Sequence, residues 1–278
     1  MGLALTFAVA AAILLGLSDF SAARAALDTP SLTVTRTAVT TSVTLSPLLL
    51  LVVDSQWTLR DTIIGLISGV AMITGLAMLY EGYKVARLGI VAPLASLLIA
   101  AVPVLWDLMH GRNMSTPVAV GIAVGLVALV LTSYTPGGEG SAVLGAVLGI
   151  TSGVLFGVGF TLMGEVSKEA GVAPVIAQRG AGLVLLFTLG AFRSEPIVAA
   201  GRSRRWAVLG GTFGLLAIAS LQLAFGRGDS GPVAVAASQF ATVAVLLSVV
   251  FNKERMRWWQ AVGVGATAIA VALIAVGG

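Results

Sequence analysis

The chain is divided into apolar stretches of about 20 residues, the length an α-helix needs to cross the hydrocarbon core of a bilayer. Ten such stretches run over residues 3–26, 30–53, 62–82, 88–107, 116–135, 142–166, 173–193, 206–226, 231–251 and 258–277. In a chain of 278 residues they leave short connections and no room for a separate extramembrane domain. Membrane β-strands alternate apolar and polar residues over about ten positions, so continuous runs of this length predict helices. Composition excludes the soluble alternative: 10% of residues are charged and 58% hydrophobic, against roughly 25% charged in soluble domains. Pro30, Pro117, Pro174 and Pro232 fall at or near helix starts, where a missing N–H costs nothing. The segment Met1 to Ala26 lacks the basic start of a signal peptide and reads as the first membrane helix.

The remaining bulk properties narrow the chemistry. A net charge of +4 comes from basic residues scattered between apolar runs, as helix-flanking anchors are. The expected partner is therefore the lipid bilayer and not nucleic acid. There is no cysteine and a single histidine, His110, which leaves little for a metal centre, and no cofactor is expected. No Gly-rich loop ends in Gly-Lys-Ser/Thr, so direct ATP use is not expected either.

The second half of the sequence echoes the first. A shift of 142 lays Gly89 on Gly231, Val91 on Val233, Ala95 on Ala237, Ser96 on Ser238, Gly121 on Gly263, Ala128 on Ala270 and Leu131 on Leu273. A shift of 143 lays Gly16 on Gly159 and Arg36 on Arg179. Five helices per copy is an odd number, so the copies enter the membrane in opposite orientations. The expected fold is an all-α integral membrane protein of ten transmembrane helices, built as two inverted-topology five-helix repeats over residues 1–137 and 138–278.

The segment Gly16-Leu-Ser-Asp-Phe20, the stretch from Leu79-Tyr80 to Ala95-Ser96, and its echo Gly228 to Ser238 resemble the EamA-type members of the drug/metabolite transporter superfamily. The resemblance covers the whole chain. It implies ten helices in two inverted repeats, a central cavity, and export or exchange of small metabolites such as amino acids across the cell membrane. Family members carry Glu-Arg after helices 4 and 9; this chain has Glu254-Arg255 in the second copy but Gly111-Arg112 in the first. Cytoplasmic termini, also implied, would leave Arg60, Arg112, Lys168 and Arg227 in the inside loops. The outside loops would then hold the larger basic group, including Arg24, Lys84, Arg87, Arg202, Arg204 and Arg205. The positive-inside rule argues for the reverse orientation.

Charges inside apolar runs mark function, because Arg or Asp at mid-helix costs roughly 2.5–3.5 kcal/mol. Asp19, Arg36, Glu165 and Arg179 are such residues. Depth along the first hairpin predicts that Asp19 meets Arg36, and along the sixth and seventh helices that Glu165 meets Arg179, unless each Arg reaches the interface along its stem. Thr33, Arg36, Thr37, Thr40, Thr41 and Thr44 share one helical face, which lines either water or a neighbouring helix. The candidate substrate-binding set is Asp19, Arg36, Thr40, Tyr80, Ser96, Gln178, Arg179, Gln222, Ser238 and Gln239. Gly145, Gly149, Gly153 and Gly157 form a small-residue stripe for close helix approach, static or sliding. Pro93 and Pro103 are expected to bend helix 4, and Trp106 and Tyr80 are candidates for a cavity gate.

These features predict a secondary transporter, not an enzyme, moving a small-molecule substrate by alternating access, with protons at Asp19 or Glu81 as the candidate coupling ion. Ten helices suffice to enclose a site within a monomer. The alternatives are a non-transporting scaffold or channel subunit, or an integral membrane enzyme acting on lipid. The enzyme would call for clustered Asp, His or Ser/Lys groups that this sequence disperses.

Overall fold

A computed structural model describes residues 2–85, 88–134, 141–191, 195–252 and 257–277. Among them the regular structure is helical, with no β-strand. In chain order the elements are α1 (Gly2–Ala25), α2 (Ser31–Leu45), α3 (Leu59–Val85), α4 (Leu88–Met109), α5 (Thr116–Ser133), α6 (Ala142–Gly164), α7 (Ala173–Gly190), α8 (Gly201–Phe225), α9 (Ser230–Ser238), α10 (Phe240–Asn252) and α11 (Trp258–Gly277). Seven helical segments are long and apolar enough to cross a membrane: Gly2–Ala25, Ser31–Leu51, Leu59–Leu79, Val143–Gly164, Ala173–Gly190, Gly201–Phe225 and Ser230–Phe251. Three shorter apolar helices accompany them, Leu94–Met109, Thr116–Thr132 and Trp258–Ile274. Their outer faces expose Leu66, Ile67 and Val70 on α3, Val147 and Ile150 on α6, and Val184 on α7. Such contiguous apolar surface is rare in water and ordinary in lipid, which fits a multi-pass membrane protein.

Two of the predicted runs are divided. The run beginning at Pro30 is α-helical only to Leu45 and continues as a 3-10 segment over Ser46–Leu51, because Pro47 brings no N–H to the α-helical ladder. The run beginning at Gly231 breaks between α9 and α10 at Gln239, whose amide donates to Gly125 O (3.3 Å) and Val235 O (3.2 Å). By contrast α4 continues through both Pro93 and Pro103.

The most extensive packing joins helices that are distant in sequence. α1 lies on α8 and α10, α3 on α6 and α7, α2 on α8, α4 on α6 and α9, and α5 on α11. Glycines permit the closest of these approaches. A side chain at Gly69 of α3 would collide with Gln178 O of α7, and one at Gly211 of α8 with Ala38 O of α2. On the α5–α11 seam, Gly121 faces Leu273 and Ile274 while Gly263 faces Leu131 and Thr132. The glycine stripe of α6 is seated on α4, with Gly149 against Val91 O, Gly153 against Ala95 O and Gly157 against Leu98 O.

Contacts between helix ends define two faces of the bundle. At the near end, Arg227 after α8 lies over the Phe7 ring of α1 (5.1 Å), and Ser115 before α5 donates to Gly277 O of α11 (2.6 Å). The starts of α3 and α9 and the ends of α4 and α6 meet there too, through Asp61–Ser167 and Asp107–Gly231 contacts. At the far end, Phe20 of α1 packs on Trp206 of α8 (6.4 Å) and Phe251 of α10 (5.5 Å), and Trp259 of α11 donates to Tyr134 O after α5 (3.2 Å).

Candidate functional site

A cavity of about 220 Å³ lies between α1, α2, α3, α7 and α8. Its upper wall, toward the far end, is built by Ala22, Val34, Leu79 and Gly210, and its floor by Met72, Phe160, Gln178 and Ile218. Below the floor, Met163, Leu221, Gln222 and Phe225 enclose a space of only about 10 Å³, so the near half is packed shut. The walls are mainly apolar, and the polar groups are few: Ser18, Asp19, Thr35, Ser42, Gln178 and Arg179. Asp19 is exposed to this space although it sits well inside α1. A side chain at Gly211 or Gly214 would enter the region that Ala38 O and Ser18 occupy, so the wall that α8 forms with α1 and α2 depends on bare backbone.

Most of the polar groups are tied to neighbouring wall atoms, and two of their buried atoms lack a partner. Gln178 is 3% exposed; its Nε2 donates to Ser68 Oγ (2.8 Å), and its Oε1 is buried with no partner. Arg179 donates from Nη2 to Gly214 O (2.9 Å), and its Nε is buried without an acceptor. Ser42 donates to Gly211 O (2.7 Å), and Ser18 to Gly210 O (2.8 Å). No ion pair within 4 Å joins Asp19 to Arg179 among the described residues. An acid and a base therefore face the same small chamber without neutralising each other.

Of the residues selected from sequence, the structure brings Asp19, Gln178 and Arg179 together on this cavity, with Gln222 in the packed space beneath. The others lie elsewhere. Arg36 is 2% exposed and does not meet Asp19: its guanidinium lies over Gly190 and 5.8 Å from the Phe187 ring, both on α7. Thr40 is half-buried on α2 outside the lining. Ser96 is buried in α4, and Ser238 donates to Ala234 O within α9 (2.6 Å). Gln239 is saturated by Gly125 O, Val235 O and the Thr267 hydroxyl (2.9 Å), a structural amide at the α9–α10 break. The side chain of Tyr80 lies outside the described residues, as does the Glu254-Arg255 pair. The hydroxyl face of α2 is largely self-satisfied: Thr37 donates to Thr33 O, Thr41 to Thr37 O, and Thr33 to Pro196 O (2.7 Å).

Sequence reasoning missed the polar cluster that closes the near end. Arg112 pairs with Asp107 and with Glu165 (3.0 Å), so Glu165 is engaged here and not with Arg179. The Trp106 indole donates to the same Glu165 oxygen (2.8 Å), and Arg60 donates to Glu165 O (3.1 Å). Asp107, fully buried, also accepts from the backbone N–H of Gly231 at the start of α9. Asp61 accepts from Thr58 in a capping arrangement at the start of α3 (2.8 Å) and from Ser167. Burial pushes the Glu165 carboxyl up, but the Trp106 hydrogen bond and Arg112, with His110, outweigh it and hold the group below the usual carboxylate range. The hydrogen bond to Asp107 is the chief cause that raises Arg112 above its ordinary value. The available signal was Asp107 near the end of an apolar run, five residues before Arg112. Trp106, a candidate cavity gate by sequence, instead orients Glu165 and stacks on His110 (4.1 Å).

No family model and no curated protein matches this chain. Solved structures do. One, described only as the crystal structure of a protein, superposes over 97% of this chain and 95% of that chain with a TM-score of 0.75 at 18% identity. At that identity the likeness is one of fold.

Proposed function

We propose that the chain is a ten-helix secondary transporter of the drug/metabolite, EamA-like type, and that it moves small zwitterionic metabolites such as amino acids across the cell membrane by alternating access. The observation that carries this reading is the pair Asp19 and Arg179, unneutralised by each other on one chamber of about 220 Å³. Charges inside a membrane protein are costly and are kept where they are used. An ammonium at Asp19 and a carboxylate at Arg179 would satisfy both. The volume is below the roughly 300–1,000 Å³ of drug-sized pockets, which favours a small solute.

The inverted repeat that alternating access requires is supported by the packing. Exchanging α1 with α6, α2 with α7, α3 with α8, α4 with α9–α10 and α5 with α11 turns α1 on α8 into α6 on α3, and α3 on α7 into α8 on α2; both pairs are in contact. The shift of 142 carries Gly69 onto Gly211, each against the opposite copy's helix, and carries the Gly121 contacts with Leu273 and Ile274 onto those of Gly263 with Leu131 and Thr132. In this reading the far end is open, the near end is closed, and the halves rock about the cavity.

The test is flux of labelled amino acids into proteoliposomes. Saturable uptake with counterflow is expected, reduced at least tenfold in Arg179→Gln. An imposed pH gradient should drive it, and Asp19→Asn should abolish that response; flux indifferent to the gradient would reject proton coupling. Absence of saturable flux for every amino acid and small zwitterion tried would reject the transport reading itself.

A further inference from the structure

A second chamber of about 240 Å³ adjoins the first between α2, α3 and α7. The two share three wall residues, Thr35, Ile73 and Leu76. Beyond this boundary the lining changes character. Leu32, Ala77, Met78, Leu186 and Leu189 replace the charged and amide groups of the first chamber, and the other polar residues are Ser31 and Glu81. The boundary is well packed: Ile73 is 8% exposed and sits in an apolar cluster with Val39 and Leu186, while a side chain at Gly182 would press on it. The molecule thus offers one compartment with Asp19 and Arg179 on its wall and, beside it, a second lined mainly by aliphatic side chains.

We propose that this side chamber receives the apolar side chain of a solute whose ammonium and carboxylate are held by Asp19 and Arg179, so that Ile73 and Leu76 set how long a side chain is accepted. The proposal rests on the transport reading above and adds to it a substrate class: α-amino acids with extended aliphatic or aromatic side chains are preferred over glycine and alanine. A solute confined to the first chamber gains nothing from the second. One whose side chain passes between Ile73 and Leu76 into the second removes apolar surface from water at about 0.8 kcal/mol per methylene, equivalent to roughly fourfold in affinity.

The experiment is competition against labelled substrate in proteoliposomes by the straight-chain series alanine, 2-aminobutyrate, norvaline, norleucine and 2-aminooctanoate. In the unaltered protein the inhibition constant should fall roughly three- to fourfold per added methylene until the chamber is filled. Ile73→Phe should flatten that slope, weakening 2-aminooctanoate most. Because Ile73 is tightly packed, Ala77→Leu, at a position lining the side chamber only, is the second variant, and it should cut the series short at norvaline while leaving alanine within about twofold. A flat slope in the unaltered protein, or a slope unchanged in both variants, overturns the proposal. If no member of the series competes or is transported, alanine included, it is the transport reading that fails, and the side chamber falls with it.

Discussion

The two ends of the bundle are held together by different chemistry. At the near end, four helix ends and the loop after α6 are tied by charges: Arg112 spans Asp107 and Glu165, Arg60 reaches Glu165 O, and Asp61 binds Ser167. At the far end the described residues show hydrogen bonds between neutral groups beside cation–π contacts, Arg24 over Phe20 (5.3 Å) and Arg257 over Trp259 (5.1 Å). Thr33 donates to Pro196 O (2.7 Å), Ala199 N–H donates to the Thr37 hydroxyl (2.8 Å), and aromatic rings fill the remaining space around Phe20. Removing one member of a buried charged cluster strands charges, whereas removing a neutral partner strands an uncharged group, which costs less. The Arg112 cluster lies at the end toward which the cavity narrows.

The largest effect is expected at Asp107, which is fully buried like Asp61 and holds both Arg112 and the first turn of α9. Asp107→Ala should destabilise the protein by about 2–4 kcal/mol, read as a fall in the thermal unfolding midpoint in detergent. An unchanged midpoint would mean that the near end is held by apolar packing alone.

Glu165 comes next and carries a pH signature. Its folded pKa lies below the ordinary carboxylate value, so the stability it adds is present above the unfolded pKa of about 4.3 and is lost as pH falls through the lower folded value. Glu165 is 31% exposed and Arg112 32%, so the effect is screened, about 0.5–1 kcal/mol. Unfolding midpoints followed from pH 6 to pH 3 should drop below about pH 4, and Glu165→Gln should remove part of that drop; superimposable curves would contradict the assignment. Of the same order as Glu165 and well below Asp107→Ala is Thr37→Val at the far end, which removes one acceptor and one donor from neutral partners and should cost about 1 kcal/mol. A loss equal to that of Asp107→Ala would erase the contrast between the ends.

The contrast also explains what the sequence revealed and what it concealed. Helix positions follow from apolar run length, because that is a property of the chain alone. The pairings of Asp19 with Arg36 and of Glu165 with Arg179 were reasoned from depth along hairpins. Depth fixes how far a residue lies from an interface but not which way it faces, and in this fold α1 packs on α8, and α3 on α6, in preference to their chain neighbours. Arg36 accordingly turns to Phe187 on α7, and Glu165 to Arg112 after α4. Asp19, Gln178 and Arg179 were legible because a charge or a two-ended amide within an apolar run has few places to go. Gln239 satisfied the same criterion but was taken up by the α9–α10 break, which no local signal in Ser238-Gln239-Phe240 announces.

If the chamber is reached from the far end and closed at the near end, the two ends differ in access, and the cysteine-free chain suits a direct test. A single cysteine at Ala38, which lines the chamber, is compared with one at Leu221, which is 3% exposed beneath its floor. A charged, membrane-impermeant thiol reagent is applied to each side of the bilayer in turn. The account predicts that Ala38→Cys reacts from the far side only and that Leu221→Cys is protected from both sides, becoming reactive from the near side when Asp107→Ala is added. Rapid labelling of Leu221→Cys from the near side in the otherwise unaltered protein, or an inert Ala38→Cys, would contradict it.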